Sequence, residues 1–466
     1  MELEGAAVIE LMREGRRGEA YRRLEADGDS GSAAAAVRAL DHGRTAADAL
    51  RTGRAAQLGE SALAAAEAAP AAFPWVRFYV GSLLQAAYRF TADPALRRRA
   101  LDILGAVADA RDRPELAVAA RGLMGNIHMM HGALHAAADH CDAAIELAAA
   151  LECDPAATAM AHQFRGYVLF EWNRRDEARA ALETAWDVTE PGHRGVRTGV
   201  ARVMARVCAA SGDPAAARRW IDRLDELLAE PMSLRNREWL AAVRVRHQLD
   251  ERGRREVMAW LKTYDYTADS IAGRGPAWIL SRLQEVDQVL ALLEATRQWE
   301  AVGRLAPHVV DAAGPERTWF AARAASAEAT ALDALGRTDA ADRRMDVTLE
   351  LGEPGSFVRC YVEGDPRRGD LLRRAAANTR VIRESARRVL DAAPELRARP
   401  RARSPLTPTQ LAVLEKVAAG GSNKAVARDM GLAVTTVKTH LRAVYDRLDV
   451  GSRTQAVARA RREGLI

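Results

Sequence analysis

Residues 406–466 read LTPTQLAVLEKVAAGGSNKAVARDMGLAVTTVKTHLRAVYDRLDVGSRTQAVARARREGLI. Their punctuation divides the stretch into four helices. Thr407 is placed to cap the first, with Pro408 at its opening position, where a missing N–H costs nothing. Leu411, Leu414 and Val417 form its expected buried stripe, and Gly420-Gly421 stops it. Ser422 caps a second helix from Asn423 to Met430, and Gly431 makes a turn. A third helix runs from about Thr435 to Leu448, and a fourth follows Ser452 and ends before Gly464.

The third helix separates into two faces. At about 100° per residue, Val437, Leu441, Val444 and Leu448 fall within about 40° of one another and must face a core. Thr435, Lys438, Thr439 and Arg442 lie opposite. A polar, cationic helix face carried by a small helical core fits the major groove of DNA, where Lys and Arg reach guanine O6 and N7. Lys424 on the second helix, with Arg453 and Thr454 at the start of the fourth, are placed to meet phosphates. Singly, each of these residues reads as ordinary solvated surface, so the phased arrangement carries the argument.

The segment closely resembles the LuxR-type helix-turn-helix domain. The residues that carry the resemblance are Leu406-Thr407, Leu414, Gly420, Ser422-Asn423-Lys424, Ala427, Thr436-Val437-Lys438-Thr439-His440, Leu448, Val450, Ser452-Arg453-Thr454, Ala456 and Gly464-Leu465-Ile466. The resemblance implies base reading by Lys438, Thr439 and Arg442. It implies backbone contacts from Lys424, Thr436, Arg453 and Thr454, with Thr435 counted among them. It also implies a homodimer on double-stranded DNA, paired through the fourth helix. Two departures stand out. Thr409-Gln410 replaces a frequent Arg-Glu, and Ala433 replaces a serine before the recognition helix.

Upstream, Pro394, Pro400, Pro405 and Pro408 alternate with arginines, which marks residues 391–405 as a linker. Charge changes near there as well. Residues 367–403 hold 12 arginines against Asp370, Glu384, Asp391 and Glu395, and residues 404–466 hold ten basic against five acidic side chains. The last hundred residues therefore carry +13 of a net +5, which leaves −8 on the rest. A basic tail on an acidic body points to a polyanionic partner, nucleic acid or an anionic membrane surface.

Before the linker, residues 1–350 carry almost no strand signal. Ala, Leu, Arg and Glu dominate, and apolar residues recur at spacings of three and four, so this region is helical. Turn-like points at Gly15, Gly53, Asp93, Gly132, Asn173, Gly212, Gly253, Gln298 and Gly336 lie 38 to 45 residues apart. Gly125, Ala137 and Ala144 recur as Gly166, Ala178 and Ala185, each shifted by 41. Pairs four residues apart repeat too: Ala20 with Leu24, Ala100 with Leu104, Ala178 with Leu182 and Ala217 with Ile221. This is the helical-hairpin pattern of tetratricopeptide-type repeats, lengthened from their usual ~34 residues. Eight or nine hairpins are implied. They should stack into a superhelix over residues 1–390 with a concave face for a peptide, a protein or a small ligand. The stretch LELGEPGSFVRCYVEGDPRRGDLLRR, with Glu353-Pro354, Phe357-Val358-Arg359 and Leu371-Leu372, resembles the end of the helical sensor region of large ATP-dependent LuxR regulators of the maltose-activator type. The GxxxxGK[ST] phosphate loop of those regulators is not found, so ATP-driven switching is not expected. Receiver and acyl-homoserine-lactone domains would each need strands.

Other signals are weaker. His128, His131, His135 and His140 lie beside Cys141, but no second tight ligand pair follows, so structural histidines are expected and no metal or other cofactor. Phe164, Tyr167, Phe170 and Trp172 lie at helical spacing and read as core packing, with ligand lining on the concave face as the other reading. No catalytic constellation can be assigned, and an enzyme is not expected. Cys141, Cys153, Cys208 and Cys360 form no CxxC pair, which fits a reducing cytosol. The acidic opening MELEGAAVIEL argues against export, and no run of 18 uncharged apolar residues would cross a membrane. The expectation is an all-α cytoplasmic DNA-binding regulator: a tetratricopeptide-like superhelix over 1–390, then a four-helix LuxR-type domain over 406–466. The repeat region would sense a small effector or protein partner. The competing expectation is a helical-repeat interaction scaffold without sequence-specific DNA binding.

Overall fold

A computed structural model describes residues 74–110, 113–190, 194–228, 265–378, 382–397, 408–448 and 450–462, with Leu406 and isolated positions at 57, 60, 61, 64, 261 and 263. Every regular element among them is helical, and the chain divides into two compact units at Ala393–Pro394. In the first unit the helices run as antiparallel pairs: α1 (Pro74–Thr91) with α2 (Pro94–Ala108), α3 (Pro114–His131) with α4 (Leu134–Ala150), and α5 (Ala159–Glu171) with α6 (Arg175–Asp187). Next come α7 (Arg194–Ala210) with α8 (Pro214–Leu228), short α9 (Ala268–Gly273) and α10 (Pro276–Ser281), then α11 (Leu283–Ala295) with α12 (Trp299–Ala313). The unit closes with α13 (Thr318–Ala334) and α14 (Thr338–Gly352), one-turn α15 (Arg359–Val362), and α16 (Arg367–Asn378) with α17 (Ile382–Ala392).

The hairpin turns share one chemistry. Backbone N–H groups of Ala133, Arg174, Asp213, Gln298 and Arg337 donate to His128 O, Leu169 O, Cys208 O, Leu293 O and Leu332 O at 2.8 to 3.0 Å. The residue before each donor has positive φ: Gly132, Asn173, Gly212, Arg297 and Gly336. This six-to-one closure satisfies the last carbonyls of the first helix and reverses the chain at one residue. The turn-like points at Gly132, Asn173, Gly212, Gln298 and Gly336 fall at these closures, and Asp93 caps α2 by accepting from Ala95 N at 2.8 Å. The points at Gly15, Gly53 and Gly253, and the pair Ala20 with Leu24, lie outside the described residues.

The 41-residue recurrence has a steric cause. A methyl group at Gly125 would stand 2.7 Å from Cys141 Sγ and 3.2 Å from Ala137 O. At Gly166 it would stand 2.7 Å from Leu182 Cγ and 3.2 Å from Ala178 O. In both hairpins the missing Cβ lets the second helix lie against the first. Ala178 and Leu182 are buried at the second of these joints, and Ala100, Leu104, Ala217 and Ile221 are buried on the second helices of two other hairpins.

The concave face differs from the expectation. Instead of standing open, the inner side of α1, α3 and α5 is covered by the chain's own later elements. Tyr88 Oη donates to a Glu316 carboxylate oxygen at 3.0 Å, Arg97 pairs with Glu316, and Arg317 donates to Tyr88 O. Thr318 Oγ1 donates to His131 O, and Val358 N donates to Glu171 O. Between these seams lies a buried ion network. Arg206 meets Glu171 at 3.1 Å and Glu363 at 3.0 Å, while Arg323 meets Asp287 and Glu363 at 2.9 Å each. Arg359 meets Glu363 at 3.1 Å, and Trp319 Nε1 donates to Glu171 at 2.8 Å. Burial works against the Arg206 charge, but the Glu363 and Glu171 carboxylates outweigh it and hold the guanidinium protonated. Phe164, Tyr167 and Phe170 are core residues, with Arg206 and Arg359 each 4.7 Å from the Phe170 ring centroid. Trp172 is half-buried at the edge.

Three of the four histidines around the α3–α4 turn lie against another aromatic ring. His128 and His140 stack at 5.0 Å, and His135 lies tilted against Trp172 at 5.0 Å. Burial, with the positive charge of His140, His131 and Arg97, pushes the His128 imidazole down to about 4. Among the described residues no helix is long and apolar enough to cross a membrane.

The proline-rich stretch also differs in part from a plain linker. Helix α17 continues through Ala392, and Pro394–Arg397 forms one helical turn, α18, with Ala393 and Leu396 buried. Pro394 opens that turn, the one helical position where proline's fixed φ is an advantage. Residues 398–405, with Pro400 and Pro405, lie outside the described residues.

Candidate nucleic-acid interface

The second unit holds α19 (Pro408–Ala418), α20 (Asn423–Met430), α21 (Val434–Arg447) and α22 (Arg453–Arg462). Leu414, Val417, Val437, Leu441, Val444 and Leu448 are buried, joined by Val413, Val426, Ala427, Ala456 and Ala460. On α19 the buried stripe differs by one position from that expected. Val413 is fully buried and Leu411 only partly, because α21 and α22 close on α19 from two sides. The caps at Thr407 and the ending at Gly464-Leu465-Ile466 lie outside the described residues.

Local chemistry fixes the turn between α20 and α21. Ser422 Oγ accepts from Ala425 N at 3.2 Å and starts α20. Gly431 ends it at φ 64, where Leu432 N donates to Ala427 O at 2.9 Å. Leu432 and Met430 then pack against the core, which sets the direction of α21.

The outer strip of α21 is exposed as expected: Thr435, Lys438, Thr439 and Arg442 all face solvent, one or two turns apart. Thr439 Oγ1 donates back to Thr435 O at 3.1 Å, which leaves its lone pairs pointing outward. Asp446, exposed one turn beyond Arg442, ends the basic strip. Thr436 is half-buried beside the strip, Lys424 is exposed on the first turn of α20, and Thr454 is exposed on the first turn of α22. Arg453 behaves differently from the other cations. Its guanidinium donates to Val417 O at 3.0 Å and Gly421 O at 2.8 Å, so it caps the end of α19 and anchors α22 there.

Both sequence departures have a structural counterpart. Gln410 is buried and its Oε1 accepts from Arg447 Nη1 at 2.7 Å, so the amide joins α19 to the end of α21. Ala433 is the N-cap of α21 and supplies no side-chain bond, and neither Thr435 nor Thr436 takes that place, since both lie inside the helix. Sequence reasoning missed Arg447 as a partner for Gln410, because 37 residues separate them and no local pattern links them.

These features define a helical-repeat protein that carries a helix-turn-helix domain with an exposed basic recognition helix. Comparison with known proteins agrees with this description. Residues 33–378 match the MalT-like TPR region, and residues 404–460 match the bacterial regulatory proteins of the luxR family. The chain belongs to the family defined by the MalT-like TPR region, with a luxR-type domain at its carboxy-terminal side. Among similar proteins, the transcriptional regulatory protein YdfI of Bacillus subtilis (strain 168) is 39% identical over 61 residues, 13% of this chain and 29% of that protein. The HTH-type transcriptional regulator MalT of Yersinia pestis (strain Pestoides F) is 42% identical over 59 residues, 13% of this chain and 6% of that protein. MalT of Yersinia pseudotuberculosis serotype O:1b (strain IP 31758) matches equally. The chain thus spans less than a third of the length of the curated relatives it matches.

Proposed function

We propose that this chain is a sequence-specific DNA-binding transcriptional regulator whose helical-repeat unit senses a small effector or a protein partner. The carrying observation is the strip Thr435, Lys438, Thr439 and Arg442, exposed on a 14-residue helix whose opposite face is the domain core. In this reading α21 enters the major groove, with Lys438, Thr439 and Arg442 reading base edges. Lys424, Thr435, Thr436 and Thr454 meet the phosphate backbone, and Arg453, at the start of α22, serves the same surface from its fixed position against the end of α19. The uncapped first turn of α21 adds backbone N–H groups suited to a phosphate. Two copies pair through α22 on related half-sites. The two-part match, a MalT-like TPR region with a luxR-type domain, supports placing input and output in one chain.

The test is selection of retained fragments from random genomic DNA at two salt concentrations, followed by single variants on the motif found. Arg442→Ala or Lys438→Ala should cost ~1–3 kcal/mol at particular base positions. Lys424→Ala should weaken all sequences about equally and reduce the salt slope by about one. Equal loss on cognate and random DNA for Arg442→Ala would remove it as a base reader. Salt-sensitive retention without any motif would favour the interaction-scaffold alternative.

A further inference from the structure

We propose that the cleft between the α5–α6 turn, the loop after α14 and helix α17 binds a small, neutral ring compound bearing a hydroxyl or carbonyl group. This deepens the reading of the repeat unit as an input module, and rests on it for the consequence but not for the site.

The cleft is partly open to solvent and holds about 240 Å³. An apolar cavity of about 150 Å³ takes benzene, so this volume suits one or two rings. Trp172, Phe357, Val358 and Val389 make its walls, which favours a flat apolar body. The charged side chains on its lining are already paired. Arg174 donates to Glu177 at 2.7 Å, and Arg388 pairs with Glu353, which also accepts from Ser385. An ionic ligand would therefore find no unspent counter-charge, and a neutral one avoids that cost.

One polar group is held at the cleft by strained backbone. Ser356 sits at φ 52, a region that non-glycine residues rarely adopt, and its Oγ lies 3.0 Å from His135 Nε2. The loop lies close against the α3–α4 turn, where a methyl on Gly355 would stand 2.5 Å from Gly132 O, and Gly355 O accepts from Trp172 Nε1 at 3.0 Å. This fixed hydroxyl, with the adjacent imidazole, is the hydrogen-bonding edge for the ligand.

The position of the cleft gives binding a consequence. Val389 and Ala392 belong to α17, the last helix of the repeat unit. That helix is held to the body by the Arg388–Glu353 pair and by Asn173 Nδ2, which donates to Ala392 O at 3.0 Å. A ligand touching Trp172 and Val389 together stabilises the docked α17.

The experiment uses the full chain, with acetophenone and p-cresol as neutral probes and benzoate and benzylamine as charged counterparts. Thermal shift and saturation-transfer NMR read binding. Acetophenone and p-cresol should bind saturably and raise the melting temperature, and the charged probes should not. Ala392→Trp, placed at an exposed rim position so that folding is retained, should abolish binding. Ser356→Gly relieves the backbone strain and should weaken p-cresol about fivefold, the worth of one neutral hydrogen bond. Absence of any shift, equal binding by the charged probes, or undiminished binding to Ala392→Trp would overturn the site. Binding as expected while p-cresol leaves DNA retention unchanged would uphold the site and remove the input-module reading.

Discussion

Replacing Glu363 by Gln tests whether the covered concave face depends on its buried charges. One Glu363 oxygen accepts from Arg206 at 3.0 Å and Arg323 at 2.9 Å, and the other from Arg359 at 3.1 Å. Its side chain is only 12% exposed, and the three arginines are 4 to 9% exposed. Glutamine has the same shape but removes the charge, and its N–H₂ group must face either Arg359 alone or Arg206 and Arg323 together. Breaking one partner of a buried pair typically costs about 3–5 kcal/mol. The lower end applies here, because Arg206 keeps Glu171, Arg323 keeps Asp287 and Arg359 keeps Asn173 Oδ1. The expected loss is therefore about 3 kcal/mol. Glu177→Gln is the control, the same chemical change at an Arg174 pair that is half exposed, where under about 1 kcal/mol is expected. Urea unfolding of the full chain, followed by tryptophan fluorescence, gives both values from the midpoint shift at a shared slope. A Glu363→Gln loss no larger than the control would refute the view that this network holds the two halves of the repeat unit together.

Three further outcomes are expected. Gly166→Ala should destabilise by about 1–3 kcal/mol through overpacking against Leu182 and Ala178 O, whereas Gly303→Ala, inside α12 with nothing within 4 Å of the added methyl, should stabilise by up to about 1 kcal/mol; urea midpoints of the two variants should move in opposite directions. Ala433→Ser should restore the side-chain cap of α21 and raise stability of the second unit by about 1 kcal/mol, read from the protection of α21 amides against hydrogen exchange. The lowered His128 value has a sign that can be checked against pH. The unfolded chain binds a proton below about 6.5 that the folded chain refuses until about 4. Stability contributed by neutral His128 is thus complete above pH 6.5 and falls on acidification through that window, by at most about 1.4 kcal/mol per pH unit. His128→Phe should flatten that slope in urea titrations between pH 4 and 6.5, and an unchanged slope would assign it to other groups.

The second unit was legible in the sequence almost position by position. Its caps, glycine turns and apolar spacing act within four residues, so Ser422, Gly431 and the Val437–Leu441–Val444–Leu448 stripe could be read directly. Arg453 was read as a phosphate contact, and its bonds to Val417 O and Gly421 O were not visible, because carbonyl partners 32 and 36 residues away leave no pattern. The substitution of Gln410 could be noticed, but its partner Arg447 could not.

By itself, the sequence determined the helical hairpins, their roughly 40-residue period and the amphipathic recognition helix. Each follows from local backbone preference and from the Cβ a glycine lacks at Gly125 or Gly166. The covering of the concave face was decided only in three dimensions. Tyr88 finds Glu316 across 228 residues, Trp319 finds Glu171 across 148, and Asn173 finds Ala392 across 219. Such pairings depend on the summed curvature of many stacked hairpins, and no window of sequence encodes that sum. The same long-range closure brings Trp172, Ser356 and Val389 to one cleft, which is why a candidate ligand site appears only in the folded chain.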